Sequence, residues 1–324
     1  MKLCPPLINA KVRALFVLLV SLFTVWSAYA TDGIYNKFNL DLGYAGRIGY
    51  SGGTTPHWAI FVYGAGTASS RFNALDISAP PGSTPPQVDG NIALAGAYST
   101  FTISAPATVV GDRYEQTTST ESNSGGTLTG TRYQSTSINT QLNSGVASLI
   151  AVSNAAAALT ATAGSPTSIN AVNAGQTLFF DNTPFGGKYV MNLTDLVLGG
   201  GGSSKTGGAI LTLNGVAGSA FVINVSRNFN IGGGAQILLT GGLTPSDVLF
   251  NIRGNNAGTT GALNFEIGGD AVFNGTLLAY NSSGTQRTLM ISGHNTRVTG
   301  EVIANRLIFS SGGHITHPKK KSEE

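Results

Sequence analysis

The segment FNGTLLA at residues 273–279 is followed 25 positions later by VTGEVIA at residues 298–304. Both segments place a glycine, two large apolar side chains and an alanine in the same order. A shift of this size corresponds to about one coil of a β-solenoid, in which equivalent side chains stack turn upon turn. The comparison predicts three stacked pairs of coil positions: Gly275 with Gly300, Leu277 with Val302, and Ala279 with Ala304.

The remainder of the C-terminal half has the same character. A weaker pair of segments, FVINV at 221–225 and VLFNI at 248–252, is separated by 27 positions. Beyond Gln176, short apolar runs are broken by Gly and Asn, which is typical of many short strands joined by turns. We therefore predict an all-β protein with a right-handed β-helix or solenoid-like body. A sandwich with repeated hairpins stays open as the alternative.

One segment has helical periodicity instead. Between about residues 137 and 161, apolar side chains recur at three- and four-residue steps, which places them on one stripe of an amphipathic helix. The stripe consists of Ile138, Leu142, Val146, Leu149, Val152, Ala156 and Leu159. We expect this helix to pack alongside the β body. A membrane-surface helix is the alternative, but the polar face carries no Lys or Arg.

Composition favours a folded body with little electrostatic character. The 324 residues include 44 Gly, 41% are hydrophobic and only 10% are charged, so a core can form. The formal charge of +3 includes Lys2, Lys11 and Arg13 of an apparent leader. Without them, 18 − 3 = 15 basic residues balance 15 acidic residues. The sequence therefore gives no electrostatic reason to expect nucleic acid or an anionic membrane as a partner.

Residues 1–30 have the features of a secretory signal peptide. A basic segment precedes an apolar run from Ala14 to Trp26, and a small-residue ending predicts cleavage after Ala30. The only cysteine, Cys4, would leave with the leader, so the exported chain could form no disulfide. No second apolar run of this length follows. We therefore expect a secreted or cell-surface protein of bacterial-type export, without a membrane span after signal removal.

No constellation of catalytic, cofactor-binding or metal-ligating residues is evident. His314 and His317 form a His-x-x-His pair, but on a strand this spacing sends the rings to opposite faces, which favours a turn or capping role. The Gly runs at 199–202 and 232–234 lack the Lys-Ser/Thr of a phosphate loop and are expected to form tight corners. The acidic residues are dispersed singly and are expected in solvated turns: Asp76, Asp89, Asp112, Asp181, Asp195, Asp247, Glu266, Asp270 and Glu301. We predict no enzymatic activity.

Several segments resemble the secreted bacterial family of choice-of-anchor A domains and, more distantly, the β-helical ice-binding proteins. The segments that carry the resemblance are FN at 72–73, VDGNIALAG at 88–96, FVINVSRNFNI at 221–231, VLFNI at 248–252, FNGTLLA at 273–279, TGEVIANRLI at 299–308 and GGHITHP at 312–318. The resemblance implies a domain over residues 72–318, after a Gly- and aromatic-rich segment at 31–71 and before a charged tail at 319–324. No apolar segment precedes that tail, so free secretion or non-covalent retention is expected.

Two functions follow as hypotheses. The first is a non-catalytic surface or extracellular-matrix protein that acts by adhesion or self-association, with a second copy, a polysaccharide or another extracellular surface as partner. The alternative is an ice-binding protein that uses a flat Thr/Ser/Asn face of the solenoid. Thr288, Thr296 and Thr299 fall near predicted coil strands, but no sustained Thr-x-Thr ladder is evident around them. A polysaccharide lyase or hydrolase on a β-helix lacks its charged cluster.

Overall fold

The computed structural model describes residues 33–46, 58–80, 82–171, 173–199, 207–254, 264–280 and 288–317, so the predicted leader and the charged tail lie outside the described residues. The strands pair in parallel and wind in coils around a common axis, which gives the body three faces, named a, b and c. This arrangement confirms the predicted solenoid. A sandwich of hairpins would have antiparallel neighbours instead.

Each face is a stack of short parallel strands. Face a contains β1(Trp58–Val62), β4(Asn91–Leu94), β7(Arg113–Glu115), β10(Arg132–Gln134), β17(Val248–Ile252), β20(Thr276–Ala279) and β23(Val302–Ala304). Face b contains β2(Phe72–Ser78), β5(Ser99–Ser104), β8(Thr120–Ser124), β11(Ile169–Ala171), β18(Asn264–Ile267), β21(Thr288–Ile291) and β24(Arg306–Ser310). Face c contains β3(Gln87–Asp89), β6(Thr108–Val110), β9(Thr127–Leu128), β12(Thr177–Asp181), β14(Ile210–Asn214), β16(Gln236–Thr240), β19(Val272–Asn274), β22(Arg297–Thr299) and β25(His314–Thr316). Two long strands bend from face a to face b, namely β13(Lys188–Leu198) and β15(Ala220–Ile231).

The coils do not stack in chain order. The last coil, β23 to β25, pairs with the first coil, β1 to β3. From there β4 to β10 continue the stack to one end of the solenoid, here named the β10 end. The opposite end is formed by β11 and β12 and is named the β12 end. The last strand of the chain therefore lies in the middle of the stack.

A long helix returns the chain from the β10 end toward the β12 end. This helix, α2(Thr136–Ala157), follows β10 directly and has 22 residues. At about 1.5 Å per residue it is about 33 Å long. The nine strands of face a, counted from β10 to β13, span about 38 Å at about 4.8 Å per step. One helix of this length is therefore enough to cross nearly the whole stack.

The apolar stripe of α2 packs on face a, as predicted. Leu142, Leu149 and Val152 are buried in one cluster with apolar side chains of face a such as Phe61. The helix begins where the Ser135 hydroxyl oxygen accepts a hydrogen bond from a backbone N–H three residues later. It ends at residue 157, earlier than the expected position near 161.

A ladder of three asparagines binds the C-terminal end of α2. Asn224 Nδ2 donates to Asn192 Oδ1 and Asn251 Nδ2 donates to Asn224 Oδ1, each at 2.8 Å, across β13, β15 and β17. The same Nδ2 atoms, together with that of Asn192, donate at 2.8–2.9 Å to three carbonyls at the end of the helical segment, those of Ser153, Ala156 and Leu159. Side-chain amides thus bind carbonyls at and just after the C-terminal end of the helix. These asparagines serve helix docking, so Asn224 and Asn251 are not available to an external ligand.

The N-terminal segment is partly built into the solenoid. All five residues of β1 are buried, and β1 lies between β4 and β23. The solenoid therefore includes residues upstream of the boundary at Phe72 that the sequence suggested, because β1 supplies the face-a strand of the first coil. A second, short helix, α1(Gly33–Phe38), packs against β15 and β17. The sequence had predicted only one helix.

The similar segments 273–279 and 298–304 occupy neighbouring coils. Gly275 and Gly300 have φ values of 146° and 142°, and a Cβ added to Gly300 would lie 2.0 Å from the carbonyl oxygen of Gly275. Two further pairs stand in register between β20 and β23: Leu277 with Val302, and Ala279 with Ala304. These four side chains are buried in the interior of the solenoid. The weaker segment pair, 221–225 and 248–252, is also paired residue for residue.

Candidate functional site

The three faces differ in what covers them. Face a is covered by α1 and α2, with apolar residues of both sides buried between them. Along faces b and c, side chains alternate between the buried interior and the surface. In β5, for example, buried and half-buried residues alternate along the whole strand. Faces b and c are therefore the surfaces on which side chains can meet a ligand.

Face b carries a compact array of hydroxyl side chains at the β10 end. Thr100 faces Thr120, and their Oγ1 atoms are 3.3 Å apart. Two further facing pairs continue the array along the same two strands: Thr102 with Ser122, and Ser104 with Ser124. Equivalent positions are about 4.8 Å apart across strands and about 6.7 Å apart along a strand. The array therefore presents hydroxyl and methyl groups in regular ranks.

The outer rank of this array extends over four neighbouring strands. Ser310 of β24 faces Ser78 of β2, which stands beside Ser104 and then Ser124. Beyond this patch, face b changes character. Its central rank continues from Thr102 through Asp76, Ile308, Met290 and Glu266. The regular hydroxyl surface thus covers one part of face b and gives way to mixed side chains.

The array does not include the threonines that the sequence places near coil strands. Of these, Thr288 lies on face b outside the array, Thr296 is fully buried and Thr299 lies on face c. The signal was present in STFTIS at 99–104, where hydroxyl residues alternate with Phe and Ile. Only the stacking of β8 on β5 turns this alternation into a two-dimensional array.

Face c is interrupted by charge. His314 Nε2 lies 2.8 Å from Asp89 Oδ2 and 3.2 Å from the hydroxyl of Thr316. Arg297 stands next to His314 in the neighbouring strand. His314 therefore takes part in a local polar network on the surface of the solenoid, within strand β25 and not in the turn that the sequence predicts.

Three acidic residues expected in solvated turns are buried instead. Asp247 is 1% exposed, and its Oδ2 accepts hydrogen bonds of 2.7 Å from the backbone N–H and the hydroxyl of Thr244, which closes a capping box. Glu301 is 2% exposed and lies 3.9 Å from Nε2 of His317. Asp195 is 7% exposed. The prediction of solvated turns is wrong for these three residues, because an isolated acidic residue carries no sequence signal for its partners.

The described residues contain no metal site. Within the ranges given above, no three His, Cys, Asp or Glu side chains are grouped as metal ligands would be. Of the glycine runs, Gly233 and Gly234 have φ values of 59° and 75° at the corner between faces b and c, and residues 200–202 lie outside the described residues. A recess of about 340 Å³ at the boundary of faces a and b is lined by Asn192, Leu193, Thr194, Asn224, Val225, Ser226, Arg253 and Ala157, without a carboxylate or histidine.

Asp195 anchors a small ionic network where β13 bends from face a to face b. Arg227 Nε donates to its Oδ1 at 2.9 Å and Arg227 Nη2 to its Oδ2 at 2.5 Å, while Asn228 Nδ2 donates to Oδ1 at 2.6 Å. The hydrogen bonds from Arg227 lower the pKa of Asp195 below its ordinary value. The positive charge of Arg227 and the hydrogen bonds from Asn228 act in the same direction. Because a lowered folded-state pKa favours the charged form, stability is gained above the unfolded pKa and lost as pH falls.

We expect Asp195→Asn to lower the free energy of unfolding by up to about 1 kcal/mol at pH 7. An ion pair whose arginine is half-exposed to water contributes little more than this. The difference from the parent should shrink below about pH 4, where the unfolded Asp takes up a proton before the folded one does. Urea unfolding at pH 7 and pH 3 measures both values. Asp270→Asn, at a surface turn, is the matched control and should change neither. An undiminished difference at pH 3 would contradict the ionic explanation.

The fold and its faces define a class: a β-solenoid domain with one covered face, stacked out of chain order. A family model described as "Ice-binding-like adhesive domain" matches residues 57–317. The chain belongs to this family. The match does not confirm the name choice-of-anchor A, and no match was found among curated protein sequences.

Solved structures of low sequence identity are similar to this chain. A glycosylated ice-binding protein from an Arctic yeast has a TM-score of 0.52 and 15% identity, over 91% of this chain and 97% of that one. The ice-binding protein domain of Shewanella frigidimarina has a TM-score of 0.49 and 17% identity, over 86% and 98% of the two chains. Neither α1 nor α2 is long and apolar enough to span a bilayer.

Proposed function

We propose that this chain is an exported, non-catalytic adhesive domain that binds ice through the hydroxyl array of face b. The array at the β10 end carries the proposal. Its facing ranks of Thr and Ser lie on a parallel ladder in which the alternate side chains Phe101 and Ile103 are fully buried. The ranks are therefore held at the fixed spacing of the strands.

A rigid array suits a crystalline surface for a physical reason. Water in ice has fixed positions, so a binding face gains most when its own groups are already ordered before contact. Parallel strands fix the spacing in one direction and the pleat fixes it in the other. Thr adds a methyl group beside its hydroxyl, which combines burial of apolar surface with hydrogen bonding. The family description supports ice as the first ligand to test.

Adhesion to a polysaccharide or another extracellular surface is the second candidate. It is favoured by the side chains beyond the array, because Asp76, Glu266, Met290 and Ile308 give face b a mixed surface. Such a surface suits a polymer with both polar and apolar groups better than a uniform lattice. Both candidates use the same face.

The experiment compares two Thr→Tyr variants. Thr102 is half-buried in the array on face b, and Thr299 is half-buried on face c. We expect the parent protein to show thermal hysteresis. Thr102→Tyr should lower ice affinity at least about tenfold, because the larger ring keeps the neighbouring hydroxyl groups from contacting the ice surface. Thr299→Tyr should retain the parent value.

Two results would contradict ice binding through face b. A parent protein without thermal hysteresis or ice-crystal shaping would leave adhesion to other surfaces, to be measured as retention on polysaccharide resins with the same two variants. Equal loss in Thr102→Tyr and Thr299→Tyr would move the binding surface away from the array. Circular dichroism of both variants checks that the solenoid is intact.

A further inference from the structure

The two ends of the solenoid are built differently. At the β10 end, inward positions of the last coil are charged. Glu115 is fully buried, and Arg132 donates to its Oε2 from Nε at 2.9 Å and from Nη2 at 2.7 Å. Arg113, 8% exposed, lies 3.4 Å from Glu121. A polar terminal coil of this kind closes the apolar interior and discourages further stacking.

The β12 end is apolar. The strand β12 has the sequence TLFFD, with Phe179 60% exposed at its centre and Leu178 and Phe180 only half-buried. Phe185 follows at 42% exposure, and its ring packs edge-on against Tyr189 at 5.2 Å. Exposed phenylalanines next to half-buried apolar side chains of the same strand are unusual for a surface that meets only water.

The backbone of β12 also has an open side. Among the described strands, β12 pairs only with β14. The carbonyl of Gln176 accepts from Ile210, and the N–H of Asn182 donates to Asn214, so the even-numbered residues bond toward β14. Because bonding direction alternates along a parallel strand, Thr177, Phe179 and Asp181 direct their N–H and C=O groups to the open edge. An edge of this kind can take another strand.

We propose that β12 is a dimerisation strand that pairs antiparallel with β12 of a second copy of this chain, with the two-fold axis at Phe179. The strand is self-complementary in this arrangement. Phe179 faces Phe179 of the second copy, and Thr177 faces Asp181 of the second copy. The backbone N–H and C=O groups of these residues point to the open edge and form the hydrogen bonds between the two strands. Leu178 faces Phe180, so the half-buried side chains on the inner side cover each other.

Charge and symmetry favour a second copy over other partners. Asp181 is the only charged residue between Pro166 and Gly187, and pairing places it opposite Thr177 instead of the second Asp181. An isologous contact uses the same patch on both chains and closes after two. Since the β10 end is closed by charges, growth into a filament is not expected. The hydroxyl array lies at that opposite end, so the dimer is independent of the proposed function.

The first test is the mass of the purified exported protein in solution, measured by sedimentation over a range of concentrations. We expect a dimer for the parent and a monomer for Phe179→Asp, because the variant places two carboxylates face to face at the axis. Val110→Asp is the matched control, since Val110 is 45% exposed on the same face at the far end, and it should stay dimeric. A monomeric parent, or a dimeric Phe179→Asp, would overturn the proposal.

The second test establishes the register. Facing residues that exchange backbone hydrogen bonds have Cα atoms about 5.5 Å apart, which suits a disulfide. The double variant Thr177→Cys/Asp181→Cys should therefore form a covalent dimer on mild oxidation, with Phe179 retained. Each single variant should not, because equivalent positions lie about 13 Å apart across the axis. Cys4, in the predicted leader, is the only natural cysteine. Equal crosslinking of the single variants would refute the antiparallel pairing.

Discussion

Leu277→Asp is expected to lower the free energy of unfolding by about 4 kcal/mol or more, the largest effect of any single substitution considered. Leu277 is fully buried in the interior of the solenoid and pairs in register with Phe250 and Val302. The substitution removes apolar contacts and places a carboxylate where these neighbours offer no hydrogen-bond donor. Because folded domains are stable by only about 5–15 kcal/mol, most of the native population should be lost on mild heating.

The matched control for this variant is Ile308→Asp. Ile308 is also aliphatic and lies in a central strand, but it points outward on face b and is half-buried. Its replacement should cost no more than about 1–2 kcal/mol, because the new carboxylate stays in contact with water. Thermal unfolding followed by circular dichroism measures both variants. If Leu277→Asp melted within a degree or two of the parent, Leu277 could not lie in a packed interior.

Gly300→Ala is expected to cost about 3 kcal/mol, from two causes that act together. The φ of Gly300 is 142°, where residues with a Cβ are strained. An added Cβ would lie 2.0 Å from the carbonyl oxygen of Gly275, which is backbone and cannot rotate away. The adjacent coils would have to separate locally, so the loss should appear in the unfolding free energy measured with urea.

Gly164→Ala measures a milder backbone strain without a steric contact. Gly164 also has a positive φ, 79°, but an added Cβ would meet no atom within 4 Å. Backbone strain alone should then cost about 1 kcal/mol. Equal losses for Gly164→Ala and Gly300→Ala would mean that neither the larger φ of Gly300 nor its contact with Gly275 adds to the cost.

The sequence predicted the solenoid from local patterns, and the reason is the regularity of coils. The segments at 273–279 and 298–304 resemble each other because both form the same corner and the same inward-facing positions. The stripe of α2 was equally visible, since side chains on one helix face recur at fixed steps. Such signals are contained within a few tens of residues, which is why they can be recognised without the fold.

The candidate binding face was harder to predict. A single strand with alternating Thr and Ser, such as 99–104, is common, and its significance depends on its neighbours. Asp195 and Glu301 were expected in water for the same reason, because the burial of a lone carboxylate depends on residues distant in sequence, such as Arg227 for Asp195.

The sequence by itself determined the β-solenoid class, the amphipathic helix and the equivalence of its repeated segments, because each depends on the spacing of side chains along one stretch of chain. Only the tertiary structure decided which coil stacks on which. It placed the last coil against the first, β8 against β5, and left β12 with an open edge. Parallel strands with similar apolar patterns can pair in many orders, so the order depends on contacts between residues distant in sequence, such as those of α2 with face a.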